Sequence, residues 1–181
     1  MNRFIKNQIV IAGAVALLAT TAAFAEGPTS YSQGDLYRPN ELSLDMFGTA
    51  SVGKYTIHHL SGERIRENTR LGAGLGGNFF FTKYLGIGAD VYSENLTGAF
   101  IDSVSANVIF RLPLGSSGFA PYAFGGGGHQ FDPADVWFAQ FGTGMEYRFT
   151  PNIGAFLDGR MVFPNETKYF GVVRLGLRFP F

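Results

Sequence analysis

The sequence predicts an all-β fold, an eight-stranded antiparallel up-and-down transmembrane β-barrel. Three observations carry that prediction. The 181-residue chain holds 25 glycines and 19 phenylalanines but only 15% charged residues, a composition that suits neither a disordered chain nor a typical soluble surface. Apolar residues recur at every second position through eight segments, the period with which a strand presents one face. Connections between these segments alternate short turns with more variable loops, as an antiparallel meander requires.

The strands follow in chain order. In ELSLDMFGTA, Leu42, Leu44 and Met46 share one face, and Ser43, Asp45 and Thr49 the other. TRLGAGLGGNFFFT sets Leu71, Ala73, Leu75, Phe79 and Phe81 against Arg70, three glycines and Asn78. YLGIGADVYS opposes Leu85, Ile87, Ala89 and Val91 to Gly86, Gly88 and Asp90, and SVSANVIF opposes Val104, Ala106, Val108 and Phe110 to Ser103, Ser105 and Asn107. FAPYAFGGGGHQF is apolar on both parities, so its facing is open. VWFAQFGTGMEYRF places Phe141, Met145, Tyr147 and Phe149 against Gln140, two glycines, Glu146 and Arg148. NIGAFLDGRMVF places Ile153, Ala155, Leu157 and Met161 against Gly154, Asp158 and Arg160, with Phe156 breaking the pattern. The last, VVRLGLRFPF, has Val173, Leu175, Leu177, Phe179 and Phe181 on one face and Arg174, Gly176 and Arg178 on the other.

The turns after strands two, four and six are TKY, LPLGSSG and TPN. On the opposite side the connections cover residues 51–68, 94–98, 130–135 and 164–167, of which only the first is long. Aromatic residues gather at strand ends, as membrane-interface girdles do. Phe79, Phe80, Phe81, Tyr84, Phe110, Tyr147, Phe149, Phe179 and Phe181 fall near the short turns, and Trp137, Phe163, Tyr169 and Phe170 toward the loops.

An apolar face beside a face of glycine and charge fits a barrel with lipid outside and a packed polar interior. A soluble ligand-binding barrel would need the reverse facing, and its outer surface would be mostly glycine with little lysine. Export is expected from the N-terminus: Arg3 and Lys6, the apolar run Ile9 to Leu18, and Ala23-Phe24-Ala25 form a secretory signal peptide over residues 1–25. Residues 26–40 are then an N-terminal periplasmic segment and 41–181 the barrel. Removal of residues 1–25 changes the formal charge from 14 − 14 = 0 to 12 − 14 = −2. That balance gives no reason to expect a nucleic-acid partner. The exported chain has no cysteine, so disulfides contribute nothing to its stability.

GTGMEYRFTPNIGAFLDGRMVF and YFGVVRLGLRFPF resemble the small eight-stranded outer-membrane β-barrel proteins of Gram-negative bacteria, the OmpA-like and porin-like group. The resemblance implies a cell outer-membrane location, contact with outer-membrane lipid and lipopolysaccharide, and insertion by the barrel-assembly machinery. Phe179 and Phe181 would form the C-terminal assembly signal; Pro180 departs from it by removing one ladder donor.

Inward parity gathers Asp45, Asp90, Glu146 and Asp158 with Arg70, Arg148, Arg160, Arg174 and Arg178. An eight-stranded interior is narrow enough for side chains to fill, so these charges are expected to pair as a plug, the alternative being a narrow solute channel. Strand-end counting pairs Arg178 with Asp45 across the closing seam, with Glu146 at the Arg178 level, and puts Arg174 and Arg160 near Asp158. Catalysis is not expected: a lipid A-modifying enzyme, the remaining alternative, needs a serine near a histidine plus an orienting acid, but His58 and His59 are adjacent on the first loop and no serine stands two residues after His129. No metal or cofactor is expected either: there is no cysteine, and adjacent histidines in an extended chain point apart. Gly125 to Gly128 precede no Lys-Ser or Lys-Thr and read as packing glycines. The first loop is expected to be a solvated hairpin extending two strands; the alternative is that Lys54, Arg64 and Arg66 hold phosphates or an acidic surface, with Glu63 and Glu67 opposing them.

Overall fold

A computed structural model describes residues 36–59, 62–94, 101–132, 135–165 and 168–181, with the side chains of 54–68 outside the description. The expected signal peptide, most of the 26–40 segment, and the side chains of Lys54, His58, His59, Arg64 and Arg66 therefore lie outside the described residues. Eight strands run β1 Glu41–His59, β2 Gly62–Phe80, β3 Leu85–Ser93, β4 Ser103–Arg111, β5 Phe119–Gln130, β6 Val136–Thr150, β7 Ile153–Pro164 and β8 Phe170–Pro180. Every neighbour is antiparallel and β8 pairs back onto β1, so the sheet closes in sequence order.

Alternation turns this sheet inside out relative to a soluble protein. Leu71 is 73% exposed and Leu175 64%, whereas Glu146 is fully buried and Arg148 and Arg178 are 2% exposed. Such an outer surface is stable only against lipid, and closure leaves no unpaired edge inside it. The chain is therefore a transmembrane β-barrel. Its shortest strands, β3 and β4, have nine residues, the length a tilted strand needs to span a bilayer.

The first connection takes the form of a hairpin that extends two strands. β1 and β2 stay paired up to His59 opposite Gly62, so most of residues 51–68 is strand and not loop. Their 19 residues each carry the hairpin about 30 Å beyond the nine-residue strands, at roughly 3.3 Å per residue. Lys54 and Glu67 stand opposite in the register, as do Tyr55 and Arg66, and Ile57 and Arg64.

Two expected girdle residues also belong elsewhere. Phe80 and Phe170 are buried, because each shares parity with inward residues of its own strand: Asn78 on β2 and Val172 on β8. Phe156, which broke the pattern of β7, is inward and buried, and on β5 the inward set is Ala120, Tyr122 and Phe124. These rings join Phe47, Phe80, Tyr92 and Ile109 in one cluster; Phe138, Val162, Phe170 and Val172 form a second. Opposing glycines make room for them. A Cβ on Gly144 would lie 2.5 Å from Asp158 Cβ and 2.8 Å from Tyr122 Cζ, and one on Gly176 would lie 2.7 Å from Phe47 Cβ and 2.8 Å from Phe156 Cε1.

Candidate functional site

The inward faces build a buried ladder of charge in two tiers. The tier at the short-turn end begins where strands meet across the seam. Asp45 and Arg178 are direct partners in the β1–β8 register, and Arg178 Nε and Nη2 donate to the two Asp45 carboxylate oxygens at 2.8 and 2.7 Å. Asn78 of β2 donates to the same carboxylate at 2.9 Å. The third guanidinium nitrogen, Nη1, reaches Glu146 Oε2 at 2.6 Å, and Arg148 Nε bonds the other oxygen of Glu146.

Glu41 completes this tier. Its Oε1 accepts from Arg111 Nη1 at 2.9 Å and from Arg148 Nη2 at 2.7 Å, and Arg111 also lies 3.6 Å from Glu146. Sequence reasoning missed both Glu41 and Arg111, although each has the right parity. Glu41 opens β1 two residues before Ser43, and Arg111 stands one residue past the point where β4 was expected to end. A β-bulge between Arg148 and Thr150 breaks the β6–β7 register at Arg148's end of the lumen.

The second tier centres on Asp90 and Asp158. Arg174 stands opposite Asp158 in the β7–β8 register and donates to it at 2.9 and 2.7 Å, while Tyr122 donates its hydroxyl proton at 2.6 Å. Arg160 reaches a different carboxylate, which corrects the expectation that it lies against Asp158. Arg160 sits two residues further along β7, roughly 7 Å, and crosses the lumen to Asp90 on β3 at 3.2 and 3.1 Å. Asp90 also accepts from Arg174 at 3.2 Å, Ser105 at 3.0 Å and Asn107 at 3.4 Å. Gln140 links the tier by accepting from Arg160 at 3.0 Å and donating to Ser105 at 2.9 Å and Asn107 at 2.8 Å.

Aromatic faces hold the guanidinium groups from the remaining directions. Arg111 lies 3.7 Å from the Phe80 centroid, Arg174 4.8 Å from Phe47 and Arg178 5.1 Å from Phe156, all within cation–π range. Arginine suits this environment because its flat, weakly hydrated head bonds a carboxylate edge-on while stacking on a ring.

The other expected site residues lie at the rims. Arg70, half-buried and opposite Ser51, sits at the loop rim, where its charge acts on Glu94. Burial nevertheless pushes the Glu94 carboxyl above its ordinary range, with the Ser51 hydroxyl bonded to it. His129 lies between Phe131 and Trp137, ring centroids at 4.8 and 4.6 Å, with Nε2 3.2 Å from Asp135. Phe179 is half-buried, while Phe181 is exposed and its backbone N–H donates to Leu42 at 2.8 Å. Among the described residues no group of three or more His, Cys, Asp or Glu could hold a metal ion.

A closed antiparallel barrel with a lipid-facing apolar exterior and a lumen packed with charge defines the class: a small eight-stranded transmembrane β-barrel. Solved structures place the fold among outer-membrane examples. The chain is similar to the N-terminal β-barrel domain of OprF from Pseudomonas aeruginosa, with TM-score 0.59, 19% identity, and coverage of 80% of this chain and 99% of that one. OprG from the same organism gives TM-score 0.58 at 12% identity, covering 83% and 99%. Ail, the attachment invasion locus protein of Yersinia pestis, gives 0.54 at 16% identity, covering 79% and 99%. No protein-family model and no curated protein matches the sequence.

Proposed function

We propose that this chain is an integral outer-membrane barrel with a structural and surface-facing role, that its lumen is closed by the ion-pair ladder, and that it is not a catalyst. One observation carries the reading. Arg111, Arg148, Arg160, Arg174 and Arg178 each pair with an acid, and their side chains are at most 7% exposed. A conducting lumen would keep such groups hydrated. The fold likeness to outer-membrane barrels supports the location, and so does the N-terminal export pattern. In the same reading Phe179 and Phe181 serve as the assembly signal.

Fractionation followed by a heat-modifiability gel tests the location: the protein is expected in the outer membrane, with a band that shifts on boiling. Planar-bilayer recording tests the closed lumen. Silence is expected, and stepwise conductance would replace this reading with the narrow channel.

A second reading concerns the projecting hairpin. In the sequence Arg64 and Arg66 share one parity and Glu63 and Glu67 the other, so strand alternation would separate the two signs. That spacing favours a contact with phosphorylated or sulfated saccharide. The likeness to Ail, which has been solved with the heparin analogue sucrose octasulfate, adds support. Retention of the folded protein on heparin resin, weakened by Arg64→Glu with Arg66→Glu, is the expected result.

A further inference from the structure

Residues 36–40 approach β1 across the short-turn mouth of the barrel, and Asn40 turns them into it with a φ of 53°. That left-handed conformation is one asparagine tolerates better than most residues. Tyr37 is only 6% exposed although it precedes every strand. Its hydroxyl donates to the Gly118 carbonyl, 81 residues away, at 2.6 Å. Its ring lies 4.7 Å from the Arg111 guanidinium carbon and 4.9 Å from that of Arg148. The Leu36 carbonyl accepts from Arg148 Nη1 at 3.4 Å, and the Arg38 N–H donates to Glu41 Oε2 at 3.4 Å.

These contacts tie one short segment to the ends of β4 and β6, the turn before β5 and the start of β1. Gly118 has a φ of 78°, and a Cβ there would lie 3.6 Å from Leu36 Cδ1. Burial pushes the Tyr37 hydroxyl above its ordinary range, so it stays protonated and keeps its donor at every pH the protein meets.

We propose that Leu36–Asn40 is a built-in stopper, with Tyr37 seated between Arg111 and Arg148, that shuts the short-turn mouth independently of the charge ladder behind it. The mouth is thus a receptor for a tyrosine side chain of the same chain. Removing that side chain opens the space between the two guanidinium groups to small solutes from that side.

The test uses the absence of cysteine from the chain. Ser43→Cys places a single thiol at a fully buried inward position of β1, and Ser103→Cys places one at the 1% exposed start of β4, at the other end. Both are read in the full-length folded protein by their rate of reaction with a small cationic methanethiosulfonate. Tyr37→Ala should raise the Ser43→Cys rate at least tenfold and leave the Ser103→Cys rate unchanged. Tyr37→Phe, which keeps the ring and loses the bond to Gly118, should give a smaller rise. Equal Ser43→Cys rates with and without Tyr37 would overturn the stopper, as would a parallel rise at both reporters, which means general loosening. If Tyr37→Ala fails the heat-modifiability gel, Tyr37→Val, which also loses the ring and hydroxyl but keeps a small apolar group, is read the same way. Bilayer silence with unchanged labelling would remove the stopper and leave the closed lumen standing.

Discussion

The lumen holds two unlike clusters, one of charge at the short-turn end and one of carbon nearer the loops, beside the Asp90–Arg160 tier. Glu41, Asp45, Arg111, Glu146, Arg148 and Arg178 crowd the first, while Phe138, Val162, Phe170 and Val172 pack the second. Both clusters are built by the same inward parity of the same strands. They differ in how a side chain is satisfied. A charge needs its partners at fixed positions, because a buried ion left alone is costly, whereas an apolar side chain needs only volume. The charged cluster should therefore answer to single substitutions sharply and non-additively, and the carbon cluster mildly and additively.

The strongest break comes at Glu146, whose two oxygens serve Arg148 and Arg178. Glu146→Ala should lower unfolding free energy by about 3 kcal/mol, because it leaves the buried cations Arg148 and Arg178 each short of one carboxylate; denaturant titration of the folded barrel in lipid vesicles measures it. A double-mutant cycle on Asp45→Ala and Arg178→Ala sharpens the point. Coupling above about 1 kcal/mol is expected for the seam pair, and purely additive losses would mean that the pair contributes nothing.

In the carbon cluster, Val162→Ala should cost about 1.5 kcal/mol at roughly 0.8 kcal/mol per buried carbon group. Combined with Glu146→Ala it should add to within about 0.5 kcal/mol, since the two share no partner. Coupling larger than that would mean the two clusters form one unit.

The smallest effect sits at the loop rim. Because the folded-state value of Glu94 is raised, the fold favours the neutral carboxyl. Its stabilising contribution is full below the ordinary carboxylate range and fades as pH rises through the raised value. The melting temperature of Glu94→Gln relative to the unmodified protein should therefore rise with pH. A difference that is flat between acid and neutral pH would contradict it.

Much of this was legible in the sequence. Period two is the whole of what separates lipid from lumen, so it reached the strands and most inward charges directly. Counting from strand ends set Asp45 beside Arg178, since both lie a few residues from the ends that close the seam. What counting along strands could not supply is distance across the lumen. Arg160 reaches Asp90 from four strands away, and only the closed ring brings β7 and β3 face to face. Parity also failed at the ends: Glu41, Arg111 and Phe80 follow the rule, but each lies where a strand was taken to begin, stop or pass into an aromatic girdle.

The seam between β1 and β8 has a further consequence, and it concerns time. Asp45 and Arg178 are 133 residues apart in sequence, so their contact closes one of the longest loops in the chain. Contacts of such separation form late, and until then both outer strands keep open edges. A slip of one residue at closure would turn Arg178 out toward lipid and Leu177 inward. A slip of two would keep the facing but set Arg178 opposite Ser43 or Phe47 instead of a carboxylate. The seam pair thus acts as a check on register at the last step of assembly, rejecting closures that the apolar face alone would accept.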